Sequence, residues 1–329
     1  MGRRRTDPAL AWLPTRVYKG RSAYEFRPRT GENIRLAPLT AKPTEVLKRH
    51  AEELARYEKK DGKVALIIEE FFGSESFRSL KPSSQKKYQQ NSKLVLKVFG
   101  NMKAKSVKPE HIRRYMDERA ATGKVAANRE LSFMSRMFGW AYERGKVPIN
   151  PCKGVRKFTE TGRDRYVTDE EYAAVLNAAE PTLQGIMEIS YCCAARISDV
   201  LILERPQILE EGIFIQQGKT GKKQIKQWSD RLKAAYDLLL ATCGDRTHHV
   251  VLNSFGSRMS YQAFRKRWTE AIQKAQKQHP QLNLDFTFHD IKAKSISDFE
   301  GDKKQFSGHK SELMINVYNR KIDIVPTHE

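Results

Sequence analysis

The stretch GIFIQQGKTGKKQIKQWS, residues 212–229, decides how the second half of this chain folds. Apolar and polar residues alternate on both sides of KTGKK, a period of two that belongs to strands, and the glycine-containing centre supplies a turn. The segment predicts a β-hairpin. The flanking spacing is helical instead. Upstream, in RDRYVTDEEYAAVLNAA, Thr168 is followed by Asp169, Glu170 and Glu171, a capping-box pattern that starts a helix. A long helix is expected to continue through LQGIMEISYCCAARISDVLIL, and several more run from the hairpin to the end. This half is therefore mixed α and β.

The first half reads differently. Within residues 12–40, RVYKG, SAYEFRP and NIRLAPL are short strand candidates broken by turns, with Tyr18, Tyr24 and Phe26 as β-favouring aromatics. PTEVLKRHAEELARYEKK, residues 43–60, predicts a helix with Pro43 near its start. From 64 to 150 the apolar spacing is helical throughout, in VALIIEEFF, PSSQKKYQQNSKLVLKVFG, KPEHIRRYMDERAA and VAANRELSFMSRMFGWAYERG. Prolines and glycines, Gly123 among them, separate these runs. VPINPCKGV, 147–155, reads as an exit linker. The expectation is a multidomain α+β protein: a small three-stranded sheet plus helix over 1–63, a helical bundle over 64–155, and a mostly helical domain with a small antiparallel sheet over 156–329.

Composition bounds the function. The net charge is +21, unevenly spread: residues 1–65 hold 16 Lys and Arg against 8 Asp and Glu, 66–155 hold 18 against 8, and 156–329 hold 26 against 23. A single-sign excess opposes compaction and points to a polyanion, most simply nucleic acid. No stretch reaches the roughly 20 apolar residues of a membrane span, and MGRRRTDPALAWLP lacks the apolar core of a secretory signal. No membrane partner is expected, and a cytoplasmic, nucleoid-associated location is. Cys152, Cys192, Cys193 and Cys243 show no metal-site spacing and read as reduced packing residues.

Five short stretches follow one another in the second half: AARISDVLILE (194–204), QQGKTGKKQ (216–224), FHDIK (288–292), SGHK (307–310) and VYNRK (317–321). Taken singly, each has a plain explanation. Arg196 reads as a helix-surface arginine beside the apolar stripe Ile189, Cys193, Ile197 and Val200, with Asp199 as a partner at i+3. Lys219 reads as a turn lysine with Lys222 and Lys223 as rivals, His289 as a structural histidine, and Tyr318 as the cap of a last surface helix. Met314 and Val317 read as core. In this order, ending in a tyrosine, the five resemble the boxes of the tyrosine recombinase, or phage-integrase, family, specifically phage and prophage integrases similar to lambda integrase.

The resemblance implies a site and a chemistry. Arg196, Lys219, His289, Lys292, His309 and Tyr318 would be the catalytic set, with Tyr318 the nucleophile that forms a 3′-phosphotyrosyl link. Arginine grips two phosphate oxygens, histidines donate or shuttle protons, and Lys219 would protonate the leaving 5′-oxygen. A tyrosine with a free pKa of about 10 needs such cationic surroundings. The family usually carries HxxR where this chain has His289-Asp290-Ile291-Lys292; lysine keeps the charge and loses the planar fork. Lys294 is the other nearby cation, but two positions further round the helix it is expected to point elsewhere. The interval from FHDIK to SGHK is also short.

The implied layout is an arm-type DNA-binding domain (1–63), a core-binding domain (64–155) and a catalytic domain (156–329). Arg3, Arg4 and Arg5 would form a minor-groove arm, and Lys86 and Lys87 would meet core-site phosphates; Arg113 and Arg114 read most simply as a solvated face. The implied partners are double-stranded DNA at arm and core attachment sites, a homotetramer on DNA, and DNA-bending and excision proteins. The tail KIDIV, 321–325, would add to a neighbour's sheet. No cofactor is implied. Two other readings stay open: a type IB topoisomerase-like relaxing enzyme, and a catalytically impaired, integrase-derived DNA-binding protein.

Overall fold

The computed structural model describes residues 7–28, 33–60, 62–243, 248–322, 325 and 327–328, without the side chains of 57–60 and 243. It divides into two compact units, Met1–Thr161 and Gly162–Glu329.

In the first unit, β1 (Val17–Lys19), β2 (Ala23–Phe26) and β3 (Ile34–Pro38) form an antiparallel sheet in the order β1-β2-β3, with a register shift at Tyr24/Glu25. Alternation along these strands buries Val17, Phe26 and Leu36 beside Val46 of α1 (Pro43–Lys60). A separate buried cluster joins α2 (Val64–Phe72), α3 (Glu75–Arg78), α4 (Pro82–Phe99) and α5 (Pro109–Glu143), with Phe71, Phe99, Phe133 and Phe138 at its centre. Within α5 the two helical runs expected on either side of Gly123 are separated by a kink, where Gly123 takes non-helical φ 160°, ψ 105°. Lys86 and Lys87 are exposed on α4, whereas Arg113 and Arg114 pair at i,i+4 with Asp117 and Glu118. Arg3, Arg4 and Arg5 lie outside the described residues.

The second unit holds α6 (Asp169–Ala178), α7 (Pro181–Cys192), α8 (Ile197–Val200), the hairpin β4 (Gly212–Gln216) and β5 (Lys223–Gln227), then α9 (Asp230–Cys243), α10 (Tyr261–Gln278), α11 (Phe288–Asp298), α12 (Lys303–Ser307) and α13 (Glu312–Tyr318). The hairpin pairs as its alternation predicts, Phe214 opposite Ile225. Thr168 and Glu171 exchange the two capping-box hydrogen bonds at the start of α6. The single long helix expected after it is three pieces. Glu180 caps a new helix at Thr182 and Leu183, with Pro181 in its first turn, where the missing N–H costs nothing. α7 then ends at a left-handed turn on Ala194, φ 47°. α7 packs closely on α9 because Gly185 has no side chain; a Cβ there would sit 2.6 Å from Leu239 Cγ. Cys152 and Cys193 are buried and Cys192 half-buried, all unpaired, as packing residues. Among the described residues no helix is long and apolar enough to cross a membrane.

Candidate active site

Arg196 is not on a helix surface. The left-handed turn at Ala194 throws the chain sideways, so Arg196 becomes the extended residue before α8, φ −82°, ψ 145°. A left-handed alanine costs roughly 1–2 kcal/mol, and a bond holds it: the Lys292 ammonium donates to the Ala194 carbonyl. Arg196 Nη1 donates to Gln217 Oε1 at 3.0 Å. Asp199 is not its partner; Asp199 Oδ1 accepts from the Gly218 amide at 3.1 Å, tying α8 to the hairpin turn. Ile189, Cys193 and Val200 of the expected stripe are buried.

Tyr318 closes α13 and is 6% exposed, so it does not cap a surface helix. Its neighbours Met314 and Val317, expected in the core, are exposed. Both histidines flank the tyrosine. His289 Nε2 is 3.2 Å from Tyr318 Oη, with the rings edge to face. His309 stacks on the Tyr318 ring at 4.8 Å between centroids and keeps Nδ1 2.7 Å from Ser307 Oγ. The peptide after the tyrosine is fastened too. Ser297 Oγ donates to the Tyr318 carbonyl at 3.0 Å and accepts from the Arg320 amide at 2.7 Å.

Lys292 is 1% exposed, with its ammonium 5.9 Å from the Tyr318 ring centroid. Burial, then the charges of Arg196 and Lys226, lower its pKa to about 7. Burial and the cations Lys292, Arg196 and Lys219 lower His309 to about 4. Desolvation and then Lys292 and Arg196 also lower His289. Both rings are thus biased towards the neutral form by a pocket dense in positive charge. Lys294 points elsewhere: it meets Asp169, Asp298 at 3.0 Å and Tyr166 Oη at 3.1 Å. Lys219 sits exposed in the hairpin turn.

The structure therefore brings Arg196, His289, Lys292 and His309 to Tyr318, with Lys219 on the adjoining turn. Such a cluster can hold a doubly liganded anion beside a phenol hydroxyl and pass protons to and from it. Sequence reasoning missed two groups around it. Gln217, between hairpin and Arg196, lies inside the QQGKTGKKQ stretch but has no distinctive residue type. Arg320 lies inside VYNRK, and its charge beside a tyrosine was the available signal; it forms a buried pair with Asp290, 2.6 Å.

Residues 165–323 match the family model described as the phage integrase family. The integrase of Escherichia phage HK022 is 26% identical over 215 residues, 60% of this chain and 59% of that protein. The integrase of Enterobacteria phage 434 is 28% identical over 105 residues, 31% of this chain and 30% of that one. The match thus spans less than two thirds of the length of these relatives. In fold, the chain is similar to lambda integrase as a dimer bound to a COC' core site, TM-score 0.71, 19% identity, covering 99% of this chain and 100% of that one. It is also similar to a lambda integrase tetramer bound to a Holliday junction, TM-score 0.67, 18% identity, covering 91% and 97%. Residues 165–323 are thus a domain of the phage integrase family, in a chain whose fold is similar to that of lambda integrase.

Proposed function

We propose that this chain is a site-specific DNA recombinase that cuts and rejoins duplexes at attachment sites through a covalent tyrosyl intermediate. The observation that carries the reading is the convergence of both histidines and the buried Lys292 on Tyr318. The solved relatives bound to a core site and to a Holliday junction support DNA as the substrate.

Arg196 and Lys292 hold the non-bridging oxygens of the scissile phosphate, stabilising charge as it develops. His289, favoured as neutral and within reach of Tyr318 Oη, takes the phenol proton. The Oη–phosphorus bond forms on the 3′ side and the bond to O5′ breaks, its electron pair leaving with O5′. Lys219 protonates that oxygen. A 5′-hydroxyl from a second strand reverses the steps, and the energy of the broken linkage is retained. Residues 1–63 bind arm-type sites and 64–155 the core site, with Arg3, Arg4, Arg5, Lys86 and Lys87 on phosphates or in the minor groove, and four copies act on two duplexes.

The bond from Lys292 to Ala194 favours one second reading, a DNA-binding protein that no longer cleaves, because the lysine is committed to a carbonyl. One experiment separates the two. Nicked duplexes tiled across the DNA flanking the gene are incubated with the protein in chelator, and an SDS-resistant adduct is sought, with Tyr318→Phe alongside. An adduct lost in Tyr318→Phe supports the recombinase; specific binding without an adduct supports the second reading.

A further inference from the structure

The carbonyls that end α12 are capped by the hairpin. A helix leaves its last carbonyls without partners inside the helix. Here Gln305 O accepts from Gln224 Nε2 at 2.6 Å, Phe306 O from the Lys226 ammonium, and Ser307 O from Gln217 Nε2 at 2.8 Å. Three consecutive carbonyls thus meet three side chains from one hairpin, 80 to 90 residues away in sequence. Lys226 also lies over the Phe306 ring, 4.8 Å from its centroid.

The contacts continue in both directions. The other end of Gln217 accepts from Arg196 Nη1 at 3.0 Å and from Thr220 Oγ1 at 2.9 Å, the residue next to Lys219. On the α12 side the chain turns at Gly308, φ +68°, against the same two glutamines; a Cβ there would stand 2.6 Å from Gln224 Oε1 and 2.8 Å from Gln217 Nε2. His309 follows directly, bonded to Ser307. Arg196, Lys219 and His309 come from three separate segments: Asp199 also ties α8 to the hairpin turn, and this seam ties the hairpin to the segment that carries His309.

We propose that Gln217, Gln224 and Lys226 are positioning residues that clamp the β4–β5 hairpin to the end of α12, so that the leaving-group acid Lys219 is held in register with Arg196 and His309. None of the three touches reacting atoms. Gln224 acts on the hairpin and α12, whereas Lys226 also adds to the positive charge felt by Lys292 and Gln217 also orients Arg196. The inference rests on the proposed recombinase chemistry for its catalytic consequence, but the clamp itself is a property of the free protein.

Two measurements on the full chain test it. The first is amide hydrogen exchange without DNA, in wild type, Lys226→Met and Gln224→Met. Faster exchange in residues 217–222 together with 305–310, at least about fivefold in both, is expected. Loosening of the hairpin alone, or of neither, overturns the clamp. The second uses a duplex cleaved in the adduct assay, synthesised with oxygen or with sulfur as the 5′-bridging atom. A sulfur leaving group departs as thiolate and needs no proton. Lys226→Met is expected to slow cleavage of the oxygen duplex about tenfold or more yet cleave the sulfur duplex within about threefold of wild type, and Lys226→Arg to restore part of the loss. Equal slowing on both duplexes makes Lys226 merely structural and overturns the positioning role. If wild type forms no adduct on any duplex, the recombinase reading fails while the exchange result still decides the clamp.

Discussion

Lys292 and Lys294 are both buried on α11 and differ in what they meet: Lys294 is bonded to Asp169 and Asp298, whereas Lys292 donates to the Ala194 carbonyl and, among the described residues, makes no ion pair. For Lys294, desolvation is outweighed by hydrogen bonds to Asp169, Asp298 and Tyr166, and its pKa is raised. For Lys292 desolvation wins. Removing one partner of a buried ion pair strands the other charge, at about 3–5 kcal/mol, whereas removing Lys292 relieves a buried, desolvated charge and loses its bond to the Ala194 carbonyl, two effects of opposite sign. Lys294→Met is therefore expected to lower stability by about 3 kcal/mol, and Lys292→Met to leave it near wild type while abolishing adduct formation. Urea unfolding of the two variants, with the adduct assay, checks both halves.

The pH dependence of Lys292 follows from the same asymmetry. Its pKa falls from 10.5 to about 7, so between these values the unfolded chain binds more protons than the folded one. Folding stability from this group therefore rises with pH across about 7 to 10.5, and the penalty of the buried charge is fully present below 7. The phosphate contact proposed for Lys292 would run the other way, because the cation is lost as pH climbs through 7. Arginine stays charged throughout. The ratio of Lys292→Arg to wild-type cleavage, measured at subsaturating DNA so that it reports the free protein, is expected to rise between pH 6 and 9. A flat ratio would show that Lys292 stays charged or makes no phosphate contact.

Arg320 and Asp290 tie the chain just after Tyr318 to α11. The pair is almost fully buried, and Asp290 also accepts from the Thr287 amide at 2.7 Å. Against desolvation, the Thr287 and Arg320 hydrogen bonds hold the Asp290 carboxyl below its usual range. A depressed carboxylate gives stability that is present above its unfolded value, about 3.9, and lost as pH falls through the folded one. Arg320→Ala is expected to cost about 3 kcal/mol and to slow adduct formation by freeing the peptide after Tyr318. Asp290→Asn is expected to flatten the loss of urea resistance below about pH 4. Unfolding curves at pH 7 and pH 3 test both.

How much of this was legible follows from the range of each interaction. Local patterns read true: the capping box at Thr168, the hairpin around KTGKK, and the three short strands ahead of Pro43 all depend on neighbours in sequence. The break at Glu180-Pro181 was also local, since proline in a first helical turn marks a start, but the continuous apolar spacing masked it. The left-handed turn at Ala194 was not readable, because alanine gives no sign of it and its support, Lys292, is 98 residues away. Lys294 was read as pointing away from the site, since positions two apart on a helix diverge, and it does. The clamp of Gln217, Gln224 and Lys226 on α12 was invisible for the same reason as Ala194: glutamine and lysine side chains carry no signal of a partner beyond 80 residues away.

His309 offers the sharpest test of the pocket's electrostatics. Ser307 Oγ donates to the Lys303 carbonyl at 2.7 Å, so its oxygen is left to accept from His309 Nδ1–H. Nε2 then carries the lone pair, buried and without a hydrogen-bond partner among the described residues. With burial and three cations lowering the ring to about 4, the unfolded chain binds more protons between about pH 4 and 6.5, and stability from this group rises with pH over that window. A ring-proton titration by NMR is expected to place His309 near 4 in the Nδ1–H form. Lys292→Met removes one of those cations and is expected to move the midpoint upward, while Ser307→Ala, which strands the Nδ1 donor, is expected to release the tautomer and cost about 1–3 kcal/mol. A titration near 6.5 in wild type would mean that the site is wetter and less positive than its geometry indicates.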